Sequence, residues 1–432
     1  MRTHLAYDKE GLTVELPVNG HHVTVIEPSY QEAIADPQMA LTWALRAPMS
    51  GPPLRDLARD ARHVGIVFSD ITRPSPNHLL LPALLDELEF LPREQITLFN
   101  ALGTHRPNTV AELEGMLGDD PANGDKIARS CRIVQNDAFD RNTQMCIGKT
   151  GRGVDVWINR AFGECDFKIL TGFIEPHFFA GFSGGGKAIM PGMAGEETVL
   201  RNHDAENIGN LQSTWGVTHG NPIWEEIHEA AALAGPDFLL NVTLNKEKAV
   251  TGVFAGEMMS AYKAGTEFVR TNAMVAVDSP FDIAITTNSG YPLDLNLYQA
   301  VKGMSAAAQV VRPGGAMIIA ASCWDGIPDH GLYGTLLRQA ESPSQLLRTV
   351  CAPGFLKQDQ WTVQVQALIQ ERMDVYVYSH HLSDRQITDC LLKPCADIAA
   401  TTQDLLAAHG DDARICVLPE GPQAIPYVRS TT

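Results

Sequence analysis

A chain of 432 residues is longer than one ordinary hydrophobic core supports, so two domains are expected. Its 33 basic and 51 acidic residues leave a net charge of −18, which argues against nucleic acid or an anionic membrane as partner. That balance does not exclude a small anionic substrate, which responds to a local pocket. Composition is globular, with 44% hydrophobic residues, and the eight cysteines are dispersed without a C-x-x-C pair. The N-terminus has no basic-then-apolar signal pattern, and no apolar run approaches the roughly 20 residues of a membrane span. The expected setting is the cytoplasm, with reduced thiols.

Taken in order, residues 1–30 alternate around Leu12, Val14 and Leu16 and reach Val23 to Ile26, which predicts a hairpin turning at Asn19-Gly20. Gln31 to Arg46 reads as a helix. His63 to Phe68 is a short apolar run, the mark of a buried parallel strand, and it delivers Ser69-Asp70-Ile71-Thr72-Arg73-Pro74 at its carboxyl end. A helix follows with Leu79, Leu80, Leu84, Leu85 and Leu88 on one side. Ligands of open α/β sheets lie beyond the carboxyl ends of the strands, so Asp70 and Arg73 stand where function is expected. The competing reading is a turn capped by Asp70 with Arg73 as its partner. The pattern repeats with a strand at Ile96 to Phe99, a loop holding Gly103, His105 and Pro107, and Thr109-x-x-Glu112 as a capping box. Two successive strand ends bearing polar functional groups favour a site over a satisfied loop.

Further strands are predicted at Arg132–Gln135, Val154–Asn159 and Phe167–Gly172. The last runs into Glu175 to Gly192, E-P-H-F-F-A-G-F-S-G-G-G-K-A-I-M-P-G. Glycines this dense, Gly184 and Gly185 among them, permit positive φ and close approach to a ligand, and they present Lys187. Gly181 to Lys187 satisfies G-x-x-x-x-G-K, but Ala188 replaces the Ser or Thr a triphosphate loop needs for magnesium, and Pro191-Gly192 leaves no room for the following helix. The better reading is a reactive amine. A solvated surface lysine explains neither Phe178, Phe179 and Phe182 nor His177. Leu200 to Leu211 looks helical, with His203 on its side, and Asp204 and Glu206 beside it as supporting partners or surface acids.

Phe238 to Leu244 is another buried strand, and Ser260 to Asn272 a helix leading out of the first domain. The grammar restarts at Phe281 to Ile285, followed by a loop to Asp294 and a helix carrying Tyr298, Gln299 and Lys302 within about one turn, placed as anion binders. Strands at Met317–Ala321, Val375–Tyr378 and Ile415–Leu418 complete a second α/β unit. Trp361, in Gln358 to Thr362, roofs a site or fills the core.

These motifs resemble the lactate racemase family over nearly the whole chain. The resemblance rests on the glycine block, on D-x-T-R-P at Asp70–Pro74, G-x-H-R-P at Gly103–Pro107, N-H at Asn202-His203, G-Y-P-L-D from Gly290, and D-Q-W-T at Asp359–Thr362. It implies a nickel-pincer nucleotide covalently anchored at Lys187, with His203 as the protein ligand to nickel. It further implies His105 and His177 as acid/base residues, and Arg73 and Lys302 as binders of the substrate carboxylate. Asp70, Tyr298, Gln299, Gly184 and Gly185 become cofactor or active-site contacts, and Trp361 a wall. Gly186 departs from the pattern, standing where arginine is frequent, and Leu295 and Pro176 replace polar residues.

The implied chemistry has a physical logic. Removing the carbon-bound proton of a 2-hydroxy acid leaves a carbanion beside a carboxylate. Hydride abstraction avoids this by passing through a planar 2-keto acid. Two faces call for two bases, and histidines titrate in the useful range. The expected protein is a two-domain α/β racemase or epimerase with mostly parallel sheets, divided into residues 1–275 and 276–432. Its site is expected in the cleft between them, because the motifs split between 70–203 and 290–361. Substrates larger than lactate, such as malate, an aromatic hydroxy acid or a sugar acid, are the alternative within the same chemistry. A triphosphate-binding protein and a cofactor-free hydroxy-acid carrier are the alternatives outside it. Cofactor-synthesis enzymes are the expected maturation partners.

Overall fold

Val64–Ser69 is apolar along its length and its first five residues are buried, so it must be covered on both faces. In the computed structural model it is a central strand of a six-stranded sheet. The structure describes every residue except Asn19, Tyr30, His330 and residues 430–432. The chain divides into two compact units, Tyr30–Asn202 with Val217–Asn272, and Met1–Ser29 with His203–Gly216 and Ala273–Thr432.

In the first of these, the strand order is Val250–Gly256, Phe238–Leu244, Phe167–Phe173, Val64–Ser69, Ile96–Ala101, Arg132–Gln135. All neighbours are parallel except the antiparallel pair Phe238–Leu244 and Val250–Gly256. From Val64–Ser69 the chain winds outward through Ile96–Ala101 and Arg132–Gln135, then returns to Phe167–Phe173 on the other side. That reversal opens a crevice at the carboxyl ends of the central strands, the place such sheets bind ligands. Helix Asn77–Glu87 closes one face by burying Leu80, Leu81, Leu84 and Leu85 in a core shared with Ile66, Phe68 and Leu98. The capping box at Thr109 and Glu112 is formed in full and starts helix Val110–Leu117. Asp155–Asn159, expected as a strand, pairs with Gln144–Lys149 in a separate antiparallel ribbon.

The second unit has the order Lys393–Pro394, Asp374–Tyr378, Val311–Ala320, Phe281–Thr287, Arg414–Leu418, His22–Val25, parallel throughout. Phe281–Thr287 lies at the same kind of reversal, with its carboxyl-end loop running to Asn296.

Two expectations are corrected here, the N-terminal hairpin and the start of the first helix. The hairpin predicted at Asn19-Gly20 involves Asn19, which lies outside the described residues. The strands flanking it do not pair with each other, because Leu12–Glu15 pairs antiparallel with Arg2–Leu5 and His22–Val25 adds to Arg414–Leu418. The chain changes unit at Asn272/Ala273, close to residue 275, and residues 1–29 are grouped with the second unit. Leu5, Tyr7, Leu16 and Val18 bury their side chains with Ile283, Ile318 and Ile415, which assigns the N-terminal segment to the second unit. The helix expected from Gln31 begins at Pro37, where Asp36 caps the Met39 amide at 2.9 Å.

Candidate active site

Asp70 is the first residue beyond Val64–Ser69, and its carboxylate is buried. Oδ2 lies 2.7 Å from Nδ1 of His105, and Oδ1 accepts the Thr72 hydroxyl at 2.8 Å. Thr72 Oγ1 in turn accepts from Arg73 Nη1 at 3.1 Å. Burial opposes ionisation of Asp70, but the charge and hydrogen bond of His105, the Arg73 guanidinium and the Thr72 hydroxyl outweigh it and hold the carboxyl below its ordinary range. A loop after one strand is thereby tied to the loop after its neighbour, since His105 follows Ile96–Ala101. The imidazole keeps about a third of its side chain exposed, 31%, where Asp70 keeps 4%. The acid is thus set behind the histidine, which faces outward.

The glycine block leaves Phe167–Phe173 and makes a tight two-residue ribbon, Pro176 opposite Phe182 and His177 opposite Gly181. Gly181 has φ +72, and a Cβ there would meet the Val217 carbonyl oxygen at 2.2 Å. His177 is buried beside Phe178 and Phe179, ring centroids 5.0 and 4.6 Å away. Its Nδ1 accepts the Ala180 main-chain N–H at 3.2 Å. The chain then forms a single 3-10 turn, Gly185–Ala188, rather than the long helix of a triphosphate loop. Lys187, half-buried on this turn, lies 5.7 Å over the Phe179 ring.

The glycines of that turn face protein where a side chain would project. A Cβ at Gly184 would meet Asn241 Oδ1 at 2.7 Å, and one at Gly185 the Tyr262 ring at 2.6 Å. Asn241 Oδ1 also accepts the Gly185 amide at 2.8 Å. These glycines let the Lys187 turn seat on the sheet and its flanking helix. Gly186 packs on helix Pro222–Ala234, where a Cβ would approach Ala231 Cβ at 3.1 Å and His228 Cδ2 at 3.4 Å. His228 is neutral there, because burial depresses its pKa to about 4. Apolar packing therefore fills the space beside Gly186.

In the second unit, His203 is not on the side of a helix as expected. Helix Glu196–Asn202 ends before it, and Asp204 caps a new helix, Ala205–Gly209, through the Asn207 amide at 2.9 Å. A capping acid after His203 is what breaks the run. His203 is buried with its ring edge-on to Trp361 at 5.2 Å. Its carbonyl accepts from Gln360 Nε2 at 3.3 Å, and the Ala205 carbonyl from Gln364 Nε2 at 2.9 Å. Trp361 Nε1 donates to the Tyr298 hydroxyl at 2.8 Å, so Trp361 is buried and tethered between His203 and Tyr298. Tyr298, Gln299 and Lys302 are half-buried on helix Leu297–Ala308, with Lys302 one turn beyond Tyr298.

Each unit thus gathers its own share of the predicted residues: Asp70, Arg73, His105, His177 and Lys187 in one, His203, Tyr298, Gln299, Lys302 and Trp361 in the other. Sequence reasoning missed Thr72, Gln360 and Gln364. Glutamines four residues apart, on one face of helix Gln360–Gln370, were the available signal.

Residues 7–216 match the profile of the lactate racemase N-terminal domain, and residues 276–425 that of the lactate racemase C-terminal domain. The chain is 35% identical over 423 residues to the lactate racemase of Lactiplantibacillus plantarum, covering 96% of this chain and 97% of that protein. It is 34% identical over 385 residues to the lactate racemase of Thermoanaerobacterium thermosaccharolyticum, covering 88% of each. The solved lactate racemase apoprotein of Thermoanaerobacterium thermosaccharolyticum matches at TM-score 0.88 and 32% identity over 100% of both chains. A Thermotoga maritima protein, at TM-score 0.69 and 19% identity over 93% of this chain and 100% of its own, shares the fold alone. With both domains matched and relatives aligned end to end, the chain belongs to the lactate racemase family and is an isomerase.

Proposed function

We propose that the protein inverts the C2 carbinol of a lactate-like 2-hydroxy acid by reversible hydride transfer through the 2-keto acid, with a nickel-pincer nucleotide anchored at Lys187. The observation that carries this reading is the Asp70–His105 hydrogen bond of 2.7 Å at a strand's carboxyl end, with Arg73 on the adjoining Thr72. It sets a proton acceptor next to a cation, which is what a 2-hydroxy acid requires.

The donor set fits the cofactor. A metal held by one protein imidazole would bring most of its own ligands with it. A single imidazole, His203, is a donor suited to nickel, and Lys187 supplies an amine for a covalent tether. The bound nucleotide supplies a reversible hydride acceptor. The remaining work falls to side chains of this chain. Arg73 and Lys302 bind the substrate carboxylate, Arg73 by its planar fork and Lys302 as a point charge. His105 takes the hydroxyl proton, and Asp70 stabilises the imidazolium that results. His177 serves the other face of the carbonyl. Trp361 and Tyr298 line the cofactor's surroundings.

The test is racemisation of a panel of chiral 2-hydroxy acids by protein co-produced with cofactor-synthesis enzymes, with nickel content measured alongside. Inversion of one panel member by nickel-loaded protein supports the reading. Nickel-loaded protein that inverts none overturns it.

A further inference from the structure

We propose that His105 and His177 are held in opposite ring tautomers, so that His105 presents an acceptor nitrogen and His177 a donor N–H. The inference rests on reading these two residues as the proton-handling pair, and it makes them unequal.

Each ring is fixed from behind by a partner of opposite character. Asp70 Oδ2 can only accept, and its other oxygen is occupied by the Thr72 hydroxyl. The proton of neutral His105 therefore sits on Nδ1, and Nε2 carries the lone pair. Thr72 Oγ1 lies 3.5 Å from the same Nδ1, but its hydrogen is committed to Asp70 at 2.8 Å, so it does not compete.

At His177 the partner is a main-chain N–H, which can only donate. The Ala180 amide points at Nδ1 from 3.2 Å, with the Phe179 amide at 3.5 Å. Neutral His177 must then carry its proton on Nε2. The arrangement is built into the ribbon: pairing of His177 with Gly181 folds the ring over its own turn, and Gly181 holds that turn at φ +72. Protonating Nδ1 would turn a hydrogen bond into two N–H groups facing each other in a buried site.

The two residues therefore begin catalysis with different tasks. His105 is the base, with Asp70 as a positioning residue that also stabilises its charged form. His177 begins as a hydrogen-bond donor to the substrate oxygen, because the lone pair of its neutral ring, on Nδ1, is engaged by the Ala180 amide.

Ring-nitrogen NMR of the full chain, isotopically labelled at histidine, reads this directly at about pH 8, above the ordinary histidine pKa of ~6.5. Signals are assigned by their loss in His105→Gln and His177→Gln. Protonation at Nδ1 of His105 and at Nε2 of His177 is the expected result. A proton on Nδ1 of His177, or an imidazolium there, overturns the proposal. In cofactor-loaded protein, His177→Gln keeps an amide donor and is expected to retain about tenfold or more of the racemisation left in His105→Gln. Equal loss in both variants overturns the donor role. Full racemisation in both removes the reading of the pair as proton handlers, and the spectra still report the tautomers.

Discussion

Asp70 and His105 belong to consecutive strand-end loops, and the 2.7 Å hydrogen bond between Oδ2 and Nδ1 joins them. The carboxylate is buried and the imidazole partly exposed, so the pair has a direction: the acid orients and charges a ring that faces outward. Replacing the acid with the neutral amide of asparagine removes the charge and unsettles the tautomer. By analogy with other carboxylate-oriented histidines, Asp70→Asn is expected to lower kcat by about 10²–10⁴-fold. Racemisation rate in the cofactor-loaded variant checks this.

The same bond predicts a pH dependence of stability. The folded-state pKa of Asp70 lies below its ordinary value of 3.8. Its contribution is therefore present above the unfolded-state value and lost as pH falls through the lower folded value. The melting-temperature difference between wild type and Asp70→Asn should shrink as pH falls below about pH 4. A difference that grows on acidification contradicts the assignment.

Lys187 sits on a turn whose glycines pack against Asn241 and Tyr262, which presents the amine without a choice of backbone position. Lys187→Ala is expected to abolish covalent cofactor attachment. The intact mass of protein co-produced with the cofactor-synthesis enzymes checks it, and an adduct persisting in the variant would relocate the tether.

His203 is expected to separate from Lys187 in its effect. His203→Ala removes an imidazole donor while leaving the Lys187 turn intact, so the adduct should form but hold substoichiometric nickel. Metal analysis and intact mass on the same preparation distinguish the two.

Gly181 is predicted to be structurally intolerant. Its φ of +72 and the Val217 carbonyl 2.2 Å from any added Cβ make Gly181→Ala both strained and crowded. The cost should be about 2 kcal/mol or more, visible as a lowered Tm, with His177 misplaced as a consequence.

Periodicity and end signals made much of each unit legible. Arg132–Gln135 and Phe238–Leu244 form over the predicted residues, Phe281–Thr287 extends its prediction by two residues, and the Thr109 capping box is complete. Polar groups after apolar strands marked Asp70, Arg73 and His105, because a chain leaving a buried strand must surface at the sheet's carboxyl edge. The interrupted helix at His203 was less legible, since a capping acid in the mostly polar stretch from Arg201 to Asn207 reads equally as an ordinary solvated side chain.

By itself, then, the sequence determined the α/β class, the order of strands and helices, and the types of residue at the strand ends, all of which follow from local patterning. Only the tertiary structure decided which strands pair, so that His22–Val25 joins Arg414–Leu418 and residues 1–29 join the second unit. It likewise decided that Gly184 and Gly185 are required by Asn241 and Tyr262, and that Asp70 stands behind His105 while the Ala180 amide stands behind His177. Pairing and side-chain environment depend on segments distant in sequence, and no local pattern carries that information.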